Sequence, residues 1–194
     1  KLWARKIPKP GVASRQRIPT DDETRKMLRG ARPDFVRIYN ALRISGARPG
    51  ELCRARIEDL RSDAKSRWIE LNKHKTAAKT GKPRIIPIGQ KLGAMIDRAA
   101  ALRTSGPIFL KSDGQPWTPH TLSAVFRRRR NRLGLSRDLC LYLARHEAGT
   151  RITMTSGIEQ AARVLGHAPG SSETSRYVKL QTDYLGACQD AEPG

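Results

Sequence analysis

The sequence predicts a mostly α-helical domain with one small antiparallel β-sheet, an α+β fold. Apolar residues recur at helical spacing between capping signals over most of the chain. Residues 66–88 differ, because short strand-like runs there flank a basic, glycine-containing loop. A chain of 194 residues buries roughly 70% of its unfolded surface, so it needs no disulfides.

Three helices are predicted first. Thr20 and Glu23 have the spacing of a capping box, which starts the first helix. The second helix spans 33–45 with its apolar residues on one face, and Gly46 ends it. The third begins near Pro49, since proline is favoured in a first helical turn.

The strands and the later helices follow in order. Two strands, around 68–71 and 85–88, are joined by the loop HKTAAKTGKPR. A helix at about 90–103 precedes a short extended segment at 107–110. Capping signals then predict one helix from Thr118–Pro119 to Gly134, and shorter helices over 138–189 broken at Gly157, Gly166 and Gly170.

The net charge indicates a polyanionic partner. There are 38 Lys and Arg against 18 Asp and Glu, a formal charge of +20, and nucleic acid is the commonest partner of so basic a domain. Basic clusters at Lys1–Lys9, Lys73–Arg84 and Arg127–Arg132 predict a broad surface facing double-stranded DNA. A membrane-surface protein and a merely solvated basic face are the alternatives.

Other classes lack their motifs. The sequence has no GxxxxGK[ST] loop, and Thr150 stands where HExxH needs its second histidine, so neither a cofactor nor a metal is predicted. It also has no apolar run long enough for a membrane span or a signal peptide. Three widely spaced cysteines are typical of a reducing compartment, and we expect a cytoplasmic protein.

Four segments remain, and they carry a resemblance. They are SGARPGEL at 45–52, KTGKPRIIPI at 79–88, YLARHEAGTRI at 142–152 and VLGHAPGSSETSRY at 164–177. In this order, over about residues 20–180, they resemble the tyrosine recombinase family, which includes phage integrases. The resemblance implies the catalytic-domain fold of that family, cleavage of DNA through a 3′-phosphotyrosine, and a homotetramer on recombination sites.

The same resemblance implies a domain organisation. Residues 1–17 mix Pro, Gly and basic residues without periodicity, which predicts a linker or arm before a catalytic domain over 18–194. An N-terminal core-binding domain is expected to lie outside this chain. A stripe of apolar residues over 180–188 is expected to pack either on a neighbouring protomer or against the rest of the same protomer.

Three residues would act on the charges of the reaction. The pentacoordinate transition state carries extra negative charge, and fixed guanidinium groups can clamp its nonbridging oxygens. By resemblance these groups are Arg48 and Arg145, with Glu51 orienting Arg48 from one helical turn away. Lys79 would protonate the departing 5′-oxygen, and three neighbouring lysines stay open as alternatives: Lys73, Lys75 and Lys82.

Three more residues complete the predicted site. His167 would hydrogen-bond the scissile phosphate. Tyr142 stands where the family has His or Lys, and it either donates to the phosphate or simply packs. Tyr177 is the predicted nucleophile, although it follows His167 by ten residues where the family has nine. Tyr184 is a later candidate nucleophile.

Two other functions remain open at this level. A DNA-binding protein of the same fold that has lost catalysis is one, and a type IB topoisomerase is the other. The target site is not readable from the sequence, and integration, excision and dimer resolution share one chemistry.

Overall fold

The computed structural model describes residues 17–72, 81 and 83–167. Within them lie seven α-helices, one 3-10 turn and three strands: α1 (Asp21–Leu28), α2 (Pro33–Ser45), α3 (Pro49–Arg54), the 3-10 turn (Ile57–Asp59), β1 (Leu60–Ser62), β2 (Arg67–Leu71), β3 (Arg84–Pro87), α4 (Gln90–Ala100), α5 (Pro119–Arg132), α6 (Leu143–Ser156) and α7 (Ile158–Leu165). The predicted fold class, mostly helical with a small antiparallel sheet, is confirmed.

Several helices begin or end at predicted capping residues, whereas the helix predicted over about 90–103 ends at Ala100 and α6 begins only at Leu143. The Thr20 hydroxyl accepts a hydrogen bond from the Glu23 backbone N–H at 3.1 Å, and the Glu23 carboxylate accepts one from the Thr20 N–H at 3.0 Å. Gly46 ends α2 with a φ of 64°, and Gly166 ends α7 with a φ of 65°. These ends are fixed by local hydrogen bonds, which is why the sequence could predict them.

The sheet has the order β1-β2-β3, and both pairs are antiparallel. Ile69 of β2 lies opposite Ile86 of β3, and both are fully buried. The edge strand β1 was not predicted. It has only three residues, and two of them are exposed, so it lacks the alternating pattern by which a strand is found.

Helix α2 lies at the centre of the core and packs against α3, α4 and α6. Its Tyr39 is buried, as predicted. The ring stacks on Phe35 at 5.5 Å and meets Phe126 of α5 edge-on at 5.5 Å. Burial raises the pKa of the Tyr39 phenol, which makes it a poor nucleophile.

Polar contacts fix α6 against the end of α2. Arg43 of α2 forms a bidentate ion pair with Glu147 of α6, with nitrogen–oxygen distances of 2.6 and 2.9 Å. Arg151, one turn further along α6, donates to the backbone carbonyls of Arg43 and Ile44 at 2.9 and 3.1 Å. The end of α2, which leads into Arg48, is therefore held in one register with α6, which carries Arg145.

Candidate active site

Arg48 lies in the short connection between α2 and α3, where a buried carboxylate holds it. Glu51, 2% exposed, accepts hydrogen bonds from the Arg48 backbone N–H and from its Nη1, each at 2.8 Å. The Arg48 side chain keeps 23% of its surface exposed. The guanidinium is thus tethered on one side and open to solvent on another, as a group that binds a phosphate must be.

Glu51 is charged although it is buried. Burial alone would raise the pKa of this carboxyl, but Arg84 and Arg48 outweigh it, and the pKa lies below its usual 4.5. A buried carboxylate is stable only when it is paired and hydrogen-bonded. The charge on Glu51 therefore depends on both arginines.

Arg145 joins three parts of the chain from α6. Its Nη1 donates to the Gly46 carbonyl at 2.7 Å, and its Nη2 donates to the Leu165 carbonyl at 2.7 Å. The same Nη2 lies 3.0 Å from Nε2 of His167. Arg145 is only 1% exposed, so its position is set by the packing around it.

The contact with Arg145 favours one tautomer of His167. A guanidinium has donors only, so this contact is a hydrogen bond when Nε2 of His167 is the acceptor, which is the tautomer with its proton on Nδ1. In this arrangement Nδ1 is the nitrogen through which His167 could donate to a ligand. The structure thus brings two predicted site residues, Arg145 and His167, into direct contact.

Gly46 is required for this arrangement twice over. Its φ is positive, and a Cβ built on it would lie 2.6 Å from Cδ2 of Leu165 and 3.1 Å from Cβ of Ala148. Only glycine lets the end of α2 approach α6 and α7 so closely. That approach is what places the Gly46 carbonyl within reach of Arg145.

Tyr142 lies at the start of α6 and is 38% exposed. Its ring meets the ring of buried His146 edge-on, with 5.2 Å between the centroids. It lines a surface cleft together with Pro49, the residue after Arg48, and Arg127 of α5. One part of the Tyr142 ring thus packs on His146, and another part is open to the cleft.

Arg84 corrects one sequence prediction. The sequence predicts it in a basic cluster facing DNA, but it is only 6% exposed. It ion-pairs with Glu51, Nε to Oε2, at 3.6 Å and donates to the Val164 carbonyl at 2.7 Å. A signal for its burial was present in the sequence, because alternation along β3 puts Arg84 on the same face as Ile86.

The cluster at Arg127–Arg132 is also partly structural. Arg129 caps α1, since its guanidinium donates to the backbone carbonyls of Met27, at 2.5 Å, and Arg29. Arg130 donates to the carbonyls of Arg137 and Leu139 at 2.8 and 3.1 Å. The exposed cations of this cluster, which stay available to a polyanion, are Arg127, Arg128 and Arg132.

Several predicted residues lie outside the described part of the chain. Among them are the general acid Lys79, its alternatives, the nucleophile Tyr177 and the later candidate Tyr184. Residues 1–16 of the predicted arm and the predicted break at Gly170 also lie outside it. Arg17 is described, and it bonds to Glu23 and Asp138, each at 2.7 Å.

Among 17–72, 81 and 83–167, no group of His, Cys, Asp and Glu is arranged to hold a metal ion. Over the same residues, every helix is too short or too polar to cross a membrane.

Comparison with known protein families decides the family. Residues 21–183 match the model described as the phage integrase family. The chain belongs to this family. No curated protein sequence matches the chain.

Solved structures confirm the integrase fold. A lambda integrase dimer bound to a COC′ core site is 20% identical, with a TM-score of 0.66 over 82% of this chain and 47% of that one. XerA recombinase is 19% identical, with a TM-score of 0.62, and the match covers 100% of this chain and 68% of XerA. The Tn1549 transposon integrase in complex with circular intermediate DNA is 19% identical, with a TM-score of 0.62, and the match covers 84% of this chain and 60% of that one. This integrase-family chain spans about half the length of the lambda integrase.

Proposed function

We propose that this chain is a site-specific DNA recombinase that cleaves and rejoins duplex DNA through a 3′-phosphotyrosine at Tyr177. The observation that carries the proposal is that Arg145 contacts both His167 and the segment that leads into Arg48. Arg145 and His167 are 3.0 Å apart. Arg145 also donates to Gly46, two residues before Arg48. Fixed cations and a histidine side by side suit a phosphoryl group that gains charge as it reacts.

The proposed reaction is a pair of transesterifications. The Tyr177 phenolate oxygen attacks the phosphorus atom, forming one phosphorus–oxygen bond while the bond to the 5′-oxygen breaks. Lys79 gives its proton to that 5′-oxygen. In the second step a 5′-hydroxyl attacks the phosphotyrosine and gives its proton back to Lys79, while the bond from phosphorus to Tyr177 breaks and Tyr177 leaves as the phenolate. The energy of the broken bond stays in the covalent intermediate, so no nucleotide or other cofactor is needed.

The described side chains have distinct proposed roles. Arg48, held by Glu51 and partly exposed, would bind one nonbridging oxygen. Arg145 is buried, so a phosphate reaches its Nη2 only by displacing a protein acceptor, and the side chain of His167 is the acceptor that can move. Displaced from Arg145, His167 would donate to the phosphate, and Tyr142 would donate from the neighbouring cleft.

A larger assembly on DNA is part of the proposal. Exchange of two duplexes requires four strand cleavages, which four copies of one active site supply. Lambda integrase, similar in fold, is solved as a tetramer bound to a Holliday junction. The net charge of +20 suits the phosphate density of two duplexes. We therefore propose a homotetramer on double-stranded DNA.

Covalent capture tests the proposed function. The chain is incubated with sheared DNA from the replicon that encodes it, and protein–DNA complexes that survive detergent are collected and sequenced. We expect an adduct at one recurrent site, mapped by peptide analysis to Tyr177. Tyr177→Phe should bind DNA but form no adduct. An adduct at Tyr184 would show that the assignment of the nucleophile is wrong.

The capture result also separates the alternative functions. DNA binding without an adduct would identify a DNA-binding protein that has lost catalysis. An adduct with relaxation of supercoils, but no exchange between two sites, would identify a type IB topoisomerase.

The role of Lys79 has its own test. A duplex whose scissile 5′-oxygen is replaced by sulfur releases a thiolate, which needs no proton because its pKa is far below that of an alcohol. Lys79→Ala should cleave normal DNA slowly and the sulfur-containing duplex at the wild-type rate. Alanine variants of Lys73, Lys75 and Lys82 are the matched controls, and whichever lysine variant is rescued by sulfur is the general acid.

A further inference from the structure

Arg84 is a buried cation that the proposed chemistry does not use. Only 5% of its side chain is exposed. Burial lowers the pKa of its guanidinium to about 10; Glu51 opposes this shift, and Arg145 and Arg48 add to it. Arg84 therefore stays charged at neutral pH in a place where an unpaired charge would be strongly destabilising. Its contacts must account for its burial.

The first contact reaches the carboxylate that holds Arg48. Arg84 Nε lies 3.6 Å from Oε2 of Glu51, an ion pair longer than a hydrogen bond. The same Oε2 accepts the Arg48 backbone N–H at 2.8 Å, and Oε1 accepts Arg48 Nη1 at 2.8 Å. Glu51 is thus shared between Arg48 and Arg84. A shift of Arg84 would weaken its attraction to the Glu51 carboxylate, which also holds Arg48.

The second contact reaches the turn that holds Arg145 and His167. Arg84 Nη2 donates to the Val164 carbonyl at 2.7 Å. The next carbonyl along the chain, that of Leu165, accepts Nη2 of Arg145 at 2.7 Å. Val164 and Leu165 belong to the last turn of α7, so Arg84 and Arg145 hold the same helix end from two sides.

Gly166 shows how closely Arg84 packs on this turn. A Cβ on Gly166 would lie 2.9 Å from Nη1 and 3.0 Å from Cζ of Arg84. The φ of Gly166 is +65°, a conformation that other residues rarely adopt. Two features therefore favour glycine at position 166: its positive φ and the Arg84 guanidinium packed beside it.

We propose that Arg84 is a positioning residue, which ties the Glu51–Arg48 pair to the α7 end that carries His167 and so fixes the spacing of the two phosphate-binding arginines. This inference rests on the proposed recombinase function for its kinetic consequences. Arg84 does not touch the phosphate itself. Its bonds fix the distance between groups that lie on different elements, and in catalysis a displacement of about 1 Å costs about a hundredfold in rate.

The kinetic test compares Arg84→Met with a matched arginine outside this cluster. Arg103 also clamps backbone, donating to the carbonyls of Ala99, Pro107 and Ile108 at 2.5, 2.6 and 2.9 Å. Single-turnover cleavage is measured on a nicked suicide duplex built from the captured site, and the rate is divided by the folded fraction. We expect Arg84→Met to cleave about a hundredfold more slowly, and Arg103→Met to lose stability but not rate.

DNA affinity separates positioning from direct contact. The Kd for the same duplex is measured in a Tyr177→Phe background, and Arg84→Met should change it by less than about threefold. Arg84→Lys keeps a charge near Glu51 but cannot also reach Val164, so we expect cleavage about tenfold slower than wild type. It serves as the test variant if Arg84→Met does not fold. A wild-type rate in either variant, or equal losses of affinity and rate, would overturn the proposal.

A spectroscopic readout does not depend on cleavage. The side-chain Nε–H resonances of Arg48 and Arg145 are followed by ¹⁵N NMR in the DNA-free chain. Both should shift in Arg84→Lys and stay in place in Arg103→Met. If wild type forms no adduct, the recombinase function fails and these resonances alone decide the role of Arg84. Unchanged resonances would show that Arg84 does not position either arginine.

Discussion

Replacement of Gly46 by alanine should destabilise the protein far more than the same replacement at Gly30. Both glycines have a positive φ, +64° and +67°, so both variants lose stability from backbone strain, about 1–2 kcal/mol. A Cβ at Gly30 meets nothing within 4 Å, whereas a Cβ at Gly46 meets Leu165 at 2.6 Å. Overpacking of a buried site adds about 1–3 kcal/mol.

The measurement is the free energy of unfolding from urea titration of each variant. We expect a loss of about 1–2 kcal/mol for Gly30→Ala and about 2–5 kcal/mol for Gly46→Ala, the sum of strain and overpacking. Equal losses would refute the argument that close packing, and not only backbone conformation, requires glycine at 46.

A double variant identifies the contact responsible. Leu165 is fully buried, so Leu165→Ala alone should cost about 2–5 kcal/mol. In the double variant the methyl group introduced by Gly46→Ala would occupy part of the space that Leu165 leaves. The combined loss should therefore fall short of the sum of the single losses by about 1–3 kcal/mol. If the two losses of unfolding free energy are strictly additive, the methyl group introduced at position 46 does not clash with Leu165.

Three other outcomes are expected. The pKa of Glu51 is lowered in the folded protein, so the stability that its charge contributes is fully present above the unfolded pKa of 4.5 and is lost as the pH falls through the folded pKa. The difference in unfolding free energy between wild type and Glu51→Gln should therefore shrink in acid. A difference that stays constant with pH would contradict this. Tyr142→Phe should slow cleavage roughly ten- to a thousandfold, and Tyr142→His should add a step near pH ~6.5 to the rate profile; a wild-type rate in Tyr142→Phe removes Tyr142 from the site. The affinity for a generic duplex should fall with salt at a log–log slope of about −0.9 per neutralised phosphate, for roughly five or more phosphates; a slope near zero means that the exposed cations do not face DNA.

Local features of the sequence determined much of this protein. The caps at Thr20, Gly46 and Thr118 and the helical spacing of apolar residues predicted the helices, because those interactions join residues three or four apart. The contact between Arg48 and Glu51 is of the same kind, three residues along the chain. The family motifs are also local, and the match over residues 21–183 confirms the resemblance that they carry.

Tertiary structure alone decided how these pieces meet. The charge of Arg84 predicts a surface position, but the pairing of β3 with β2 and the packing of its side chain on α7 bury it. Arg129 belongs to a basic cluster by sequence, yet it caps a helix about a hundred residues away. The contact of Arg145 with Gly46 joins residues 99 positions apart. A sequence gives the charge of each arginine, but whether water, a carboxylate or a backbone carbonyl satisfies that charge depends on which elements pack around it.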